Sequence, residues 1–161
     1  MADKATTPKG VSPAPGEILT RQFAFTMVLV VQFLLGMTVN LFVKIPSHHP
    51  GAGGPDYFVG SSAAVPWAIL HGGWALGAHV VLGTLLFFGA LRVVVPAVRS
   101  KDKATVWTFS LSAFFIWIAV GNGASFLVYN EEFSSMIMAT AFAAAVASNV
   151  TNLYLKSRPV V

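Results

Sequence analysis

Long apolar stretches bounded by charged residues dominate the pattern along this chain. The four longest stretches without a charged side chain cover residues 22–43, 57–91, 104–130 and 133–155. A bilayer core about 30 Å thick needs about 20 apolar residues per helix, and it rejects unpaired charge. The pattern therefore predicts four transmembrane helices, at about residues 22–44, 65–94, 104–129 and 132–155.

These helices predict an all-α, polytopic membrane protein with a single four-helix bundle over residues 21–157. Residues 45–64 are rich in Gly, Pro and His, and we expect them to form a long external loop. Residues 1–20 carry three prolines among small polar residues, a composition that cannot bury apolar area and predicts a disordered cytoplasmic tail. The first helix fits an uncleaved signal-anchor.

The basic residues predict the orientation, because Lys and Arg accumulate in cytoplasmic segments. Four crossings put both termini on one side of the membrane. With the termini inside, nine of the ten Lys and Arg residues are cytoplasmic, and only Lys44 is outside. We therefore predict a multi-pass protein of the plasma (inner) membrane with cytoplasmic N and C termini.

The composition agrees with lipid as part of the solvent. The chain of 161 residues is 55% hydrophobic and 10% charged, with a mean hydropathy of +0.71, whereas soluble domains carry about 25% charged residues. This composition excludes a soluble, disordered or collagen-like protein. The basic pI of 9.7 is explained by the excess of Lys and Arg on the predicted cytoplasmic side, so it does not require a nucleic acid partner. The absence of cysteine excludes disulfides and thiolate metal sites.

Small residues recur at four-residue spacing in two of the predicted helices: Gly73 and Gly77, and Ala139 and Ala143. Helices in lipid associate through such residues, so we expect them to pack inside the chain, with self-association as the alternative. The sequence Gly121-Asn-Gly123 leaves open a kink that lines a ligand. Interhelical hydrogen bonds are expected from the uncharged polar residues Gln32, Asn40, Asn122 and Asn149.

His79 is the sharpest candidate for chemistry. It lies about 15 residues into the second predicted helix, near mid-bilayer, where an ionisable side chain is costly and is by default a functional hypothesis. Its imidazole could ligate a haem iron, take part in proton or quinone chemistry, or form a structural hydrogen bond to a neighbouring helix. His71 lies about 12 Å nearer the outside on the same predicted helix, so one haem cannot take both.

The external loop is a candidate metal site through His48, His49 and Asp56. Imidazole and carboxylate together suit zinc or copper. Adjacent histidines need not converge, and no H-x-x-x-H spacing fixes a site on a helix. A docking or capping loop and a pH-sensitive histidine contact are the alternatives.

The four-helix layout, with His71 and His79 among glycines and aromatics, loosely resembles b-type cytochromes and the haem-bearing anchor subunits of respiratory complexes. That resemblance implies haem b bound at these histidines. The chain has no histidine on the other three predicted helices, so a second axial ligand would come from another residue type or another subunit. It also looks like the small uncharacterised bacterial four-helix integral membrane proteins, a likeness that implies no activity.

Enzyme signatures are missing, since the sequence has no G-x-S-x-G elbow, no phosphate loop and no H-E-x-x-H motif. The leading hypothesis is therefore a non-catalytic accessory or anchor subunit of a larger membrane assembly, with lipid and other membrane subunits as partners. The alternative is a b-type haem or quinone electron-transfer protein that uses His79 and also His71. A small channel or transporter is the third hypothesis.

Overall fold

The computed structural model describes residues 15–99 and 102–157, with side chains described for residues 19–92, 94–95 and 102–157. Within these residues it is all-α. The helices are α1 (Pro15–Phe42), α2 (Tyr57–His71), α3 (Gly73–Arg99), α4 (Lys103–Tyr129) and α5 (Glu132–Ser157). Of the predicted disordered tail, residues 15–20 are the first turns of α1, and residues 1–14 lie outside the described part.

Four of the helices, α1, α3, α4 and α5, are long and apolar enough to cross a membrane. They form a ring in which α1 and α4 each pack against both α3 and α5. The amide of Gln22 donates to the Asn149 carbonyl at 3.3 Å, and the Ser135 hydroxyl donates to Asn40 at 2.9 Å. Because these bonds join opposite ends of α1 and α5, the two helices are antiparallel.

The bundle therefore has two distinct ends. The terminal end holds the starts of α1 and α4 and the end of α5. The loop end holds residues 43–56 and the turn between α4 and α5. The all-α architecture with four membrane-length helices is confirmed.

The prediction of one continuous helix over 65–94 is wrong, because the chain breaks at Gly72–Gly73. Gly73 has φ +79°, a left-handed conformation that favours glycine. The break lets α3 turn back against α2: a Cβ atom on Gly77 would lie 2.9 Å from the Ile69 carbonyl oxygen. A Gly-Gly pair is itself typical of a turn, and this signal competes with the packing motif predicted from Gly73 and Gly77.

The predicted external loop is also shorter than expected, because α2 begins within it at Tyr57. The Asp56 carboxylate accepts a hydrogen bond from the Val59 amide at 2.9 Å and so caps the start of α2. The remaining loop is tied to the bundle, since the Gly53 amide donates to the Val128 carbonyl at 2.7 Å. This arrangement covers the loop end of the bundle with α2.

Two apolar clusters hold the fold together. One lies between the four long helices and includes Leu29, Leu86, Ile116, Phe142 and Ala145. The other lies at the loop end, where Ala64 and Ala68 of α2 pack with residues of α1, α3 and α4. The second cluster holds α2 against the loop end of the bundle.

The four small residues predicted to pack inside the chain differ in burial. Gly77 is buried, but Gly73 is exposed and no atom lies within 4 Å of where its Cβ would be. On α5 the buried alanines are Ala141 and Ala145, whereas Ala143 is exposed and Ala139 is partly buried. The predicted stripe therefore lies beside the packed face of α5 instead of on it.

Candidate functional site

His79 is joined to Gln32 of α1 inside the bundle. The Gln32 Nε2 atom donates to the His79 carbonyl oxygen at 2.9 Å and lies 3.0 Å from His79 Nδ1. Gln32 is almost fully buried, with 2% of its surface exposed. The break at Gly73 places His79 six residues into α3, about 9 Å from its start, so His79 lies in the loop-end half of the span and not at its middle.

Two glycines make room for this pair. A Cβ atom on Gly36 of α1 would lie 2.9 Å from His79 Cε1, and one on Gly83 of α3 would lie 3.0 Å from Gln32 Nε2. Real Cβ atoms essentially never approach closer than 3.0 Å, so a Cβ on Gly36 would require the ring to shift, and one on Gly83 would be at the tight limit. The glycines therefore allow the imidazole and the amide to lie between α1 and α3.

A cavity of about 110 Å³ adjoins the pair, which we call the His79 pocket. It lies at the centre of the four long helices. The helices that face each other across this centre are α1 and α4 in one direction and α3 and α5 in the other, and neither pair has Cα atoms within 8 Å of one another among the described residues. Val65 of α2 and Ile45 form part of its wall at the loop end. Side chains from the four long helices line the rest, including Gln32, His79, Ala119, Leu127, Met138 and Phe142.

The His79 pocket continues into a groove of about 580 Å³ between α1 and α5, which we call the α1/α5 groove. The two share Gln32, His79 and Met138 as lining residues. The groove also reaches the exposed residues Met37 and Met136. His79 can therefore be reached from outside the bundle between α1 and α5, past a lining that also includes Asn130 and Glu132.

His71 does not take part in this site. It is the last residue of α2, it is exposed, and it does not line the His79 pocket or the α1/α5 groove. The two histidines that the sequence placed on one helix are separated by the glycine break. The candidate cofactor site therefore reduces to His79.

The loop residues proposed as metal ligands each have another partner. His48 Nδ1 lies 2.9 Å from the Ser47 hydroxyl, and the His49 ring stacks on Trp67 with centroids 4.2 Å apart. Asp56 caps α2. Over residues 15–99 and 102–157, no three His, Asp or Glu side chains gather as a metal-binding group. The structure does not assemble the predicted site, and the loop instead packs against α2 and α4.

The Gly121-Asn-Gly123 sequence lies inside α4. Helix α4 runs without a break through these residues, and the Asn122 side chain donates to the Ile118 carbonyl of the same helix at 2.9 Å. Gly123 nevertheless lines the His79 pocket. The site is therefore bordered by a continuous α4, and the break in the fold is at Gly73.

A second buried polar cluster lies toward the terminal end and joins three helices. Asn149 of α5 donates to Ser112 of α4 at 2.6 Å, and its carbonyl accepts from Gln22 of α1. Asn152 of α5 donates to Thr108 of α4. This confirms Asn149 as an interhelical contact and adds Gln22 and Asn152, whose positions near helix ends gave no such signal.

Sequence reasoning found His79 and named Gln32 as a residue in need of a partner, but it did not join them. It missed Gly36, Gly83 and Met138, because glycine and methionine are common in membrane helices and only their neighbours distinguish them. Among known proteins, no family profile, curated protein or solved structure gives a significant match to this chain. The function has to be inferred from the His79 pocket itself.

Proposed function

We propose that this protein is a membrane electron-transfer component that holds a hydrophobic cofactor, a b-type haem or a quinone, in the His79 pocket. The observation that supports this is one imidazole inside the bundle, fixed by Gln32, beside a cavity that opens between α1 and α5. An ionisable group within a membrane span marks a functional site by default. A purely structural histidine would not need an adjoining cavity.

The residues of the pocket fit a haem in part. His79 supplies an imidazole, and Met138 of α5 supplies a thioether at the same cavity, a pair of ligand types that haem proteins use. A bound haem would supply reversible one-electron transfer. The chain would exclude water with the apolar walls around Leu127 and Phe142, and it would hold the iron through His79 and Met138.

The test is a reduced-minus-oxidised absorbance spectrum, with extraction of lipid-soluble quinones, on protein purified from its own membrane in mild detergent. His79→Leu is compared with His71→Leu, a matched change of the same residue type outside the pocket. We expect a haem band or bound quinone in near-stoichiometric amount in the wild type and in His71→Leu, and a clearly lower amount in His79→Leu. Protein with neither cofactor, or an equal amount of cofactor in His79→Leu, would contradict the proposal.

A second candidate function, an accessory or anchor subunit of a larger membrane assembly, is favoured by the outer face of α5. Ala143 and Ala147 are exposed at four-residue spacing, and small residues allow another helix to approach closely. The double change Ala143→Leu and Ala147→Leu should then reduce the size of the complex in mild detergent, while Thr140→Leu, also exposed on α5, should not. An unchanged size in both would argue against it.

The proposed location is the plasma membrane, with the terminal end of the bundle in the cytoplasm. Arg21, Arg92, Lys103 and Lys156 belong to the terminal end, whereas Lys44 belongs to the loop end together with Asp56, Glu131 and Glu132. This distribution follows the excess of basic residues in cytoplasmic segments.

A further inference from the structure

The hydrogen bonds of Gln32 determine which nitrogen of His79 carries the proton. The Gln32 atom that lies 2.9 Å from the His79 carbonyl oxygen must be the Nε2 donor, since two carbonyl oxygens at that distance would repel. The same Nε2 atom lies 3.0 Å from His79 Nδ1. Nδ1 is therefore the acceptor of the second N–H, and the proton of the neutral imidazole is on Nε2.

This protonation state disfavours iron ligation. A ligating histidine offers an unprotonated ring nitrogen and donates the other N–H to an acceptor. In this protein Nδ1 already accepts from Gln32, and Nε2 carries the proton. If Nε2 ligated iron, the proton of the neutral ring would be on Nδ1. The Nδ1–H would then face the N–H of Gln32, and the hydrogen bond between these two groups would be lost.

A protonated Nε2 is instead a hydrogen-bond donor on a residue that lines an apolar cavity. Among the described residues, Nε2 has no hydrogen-bond partner, whereas Nδ1 has one. The ligand group that suits this Nε2–H is a neutral hydrogen-bond acceptor, such as a carbonyl oxygen, on an otherwise apolar molecule. A carboxylate or phosphate would enter this apolar cavity without a positive charge to pair with it, and burying such a charge unpaired is costly.

The space suits a ring with an apolar tail. The His79 pocket alone measures about 110 Å³, less than the cavity of about 150 Å³ that holds benzene, so a ring at His79 would extend into the adjoining groove. The α1/α5 groove then offers about 580 Å³, lined by Phe33, Met37 and Met136 and also by the polar residues Asn40, Asn130, Glu132 and Ser135. A ring carbonyl at His79 and a tail along α1 and α5 would fill both spaces.

We infer that the His79 pocket binds a quinone, with a ring carbonyl accepting a hydrogen bond from His79 Nε2–H and the apolar tail leaving through the α1/α5 groove. This deepens the proposed function and rests on it, because it selects one of the two cofactor classes for the same pocket. Gly36 and Gln32 are positioning residues, since they act through the ring of His79.

The test is equilibrium binding of decylubiquinone to the purified full-length protein in detergent, with decylbenzene as the probe that lacks carbonyls. We expect saturable binding of the quinone, and decylbenzene should bind more weakly. His79→Leu should weaken quinone binding roughly three- to tenfold, the loss of one hydrogen bond, with His71→Leu unchanged. Equal binding of both probes, or equal quinone binding by His79→Leu, would overturn the inference.

Two further measurements test the inference if the His79→Leu protein does not fold. Gly36→Ala keeps His79 but forces its ring to move, so quinone binding should fall, whereas Gly89→Ala, with its nearest neighbouring atom 4.0 Å away, should bind normally. Nitrogen-15 NMR of the histidine rings in the wild type should show a protonated Nε2 and an unprotonated Nδ1 for His79. The opposite protonation would overturn the inference without any ligand.

Titration with hemin separates the two proposals. A Soret band that depends on His79, without quinone binding, would overturn the quinone inference and leave the proposed cofactor pocket standing. Absence of both hemin and quinone binding in folded protein would overturn the quinone inference and the proposed function together.

Discussion

The side-chain amide of Gln32 holds His79 at two points, its carbonyl oxygen at 2.9 Å and its ring Nδ1 at 3.0 Å. One residue of α1 therefore fixes both the backbone and the ring of one residue of α3. The ring is oriented before any ligand arrives, which reduces the entropy that binding would otherwise cost.

Replacing Gln32 by Leu should destabilise the protein by about 1 kcal/mol, because two interhelical bonds are lost and such bonds average about 0.6 kcal/mol each in a membrane protein. The measurement is thermal unfolding in detergent. Thr38→Val is the control, since the Thr38 hydroxyl bonds only within its own helix, to the Leu34 carbonyl. Equal stability of Gln32→Leu and wild type would mean that the amide contributes nothing to the α1–α3 contact.

Gly73→Ala should destabilise the protein by about 1–2 kcal/mol, although there is open space for its methyl group. The cost arises because residue 73 has φ +79°, which an L side chain rarely adopts. Gly89→Ala, in the interior of α3 with ordinary clearance, should instead stabilise by about 0.5–1 kcal/mol. Unfolding midpoints that shift in the same direction for both variants would contradict a fixed break between α2 and α3.

The ion pair between Lys156 of α5 and Asp102 before α4 should give the terminal end a weak pH dependence. Lys156, and then the Thr105 hydroxyl, lower the pKa of Asp102 from 3.8 to about 2. A lowered pKa contributes stability that is present above about pH 4 and is lost as the pH falls toward 2. The pair is about 40% exposed, so its contribution should be on the order of 0.5 kcal/mol or less and should decrease with added salt.

Asp102→Asn is the variant that tests this pair. It should lose most of the extra stability at neutral pH, and its unfolding midpoint should fall less steeply than that of the wild type between pH 4 and pH 2. Lys156→Met should behave in the same way, because it removes the other partner. A parallel acid dependence in all three proteins would show that the pair is not coupled to folding.

Membrane topology can be read with single cysteines, because the natural chain contains none. Ser47 lies in the loop and Ser157 ends α5, and both are exposed. In intact cells a membrane-impermeant maleimide should label Ser47→Cys and spare Ser157→Cys, and both should react after the membrane is permeabilised. Labelling of Ser157→Cys alone in intact cells would reverse the proposed orientation.

The sequence by itself determined the four membrane-length helices. Charge in a bilayer core costs so much that residues such as Arg21, Lys44 and Arg92 mark the limits of each span, whatever the helices pack against. Three of the predicted helices begin within seven residues of the observed ones and end within two. The same rule identified His79, because it needs only that an ionisable residue lies within a span.

Only the tertiary structure decided the break at Gly72–Gly73 and the neighbours of His79. A glycine pair is compatible with close packing and with a left-handed turn, and the choice depends on α2 finding a surface against α3 and α4. The hydrogen bonds between Gln32 and His79 depend on how α1 is rotated about its own axis. The sequence does not determine this rotation, because α1 has apolar residues on all sides. The site therefore exists because packing places an amide, an imidazole and two glycines at one level of the bundle.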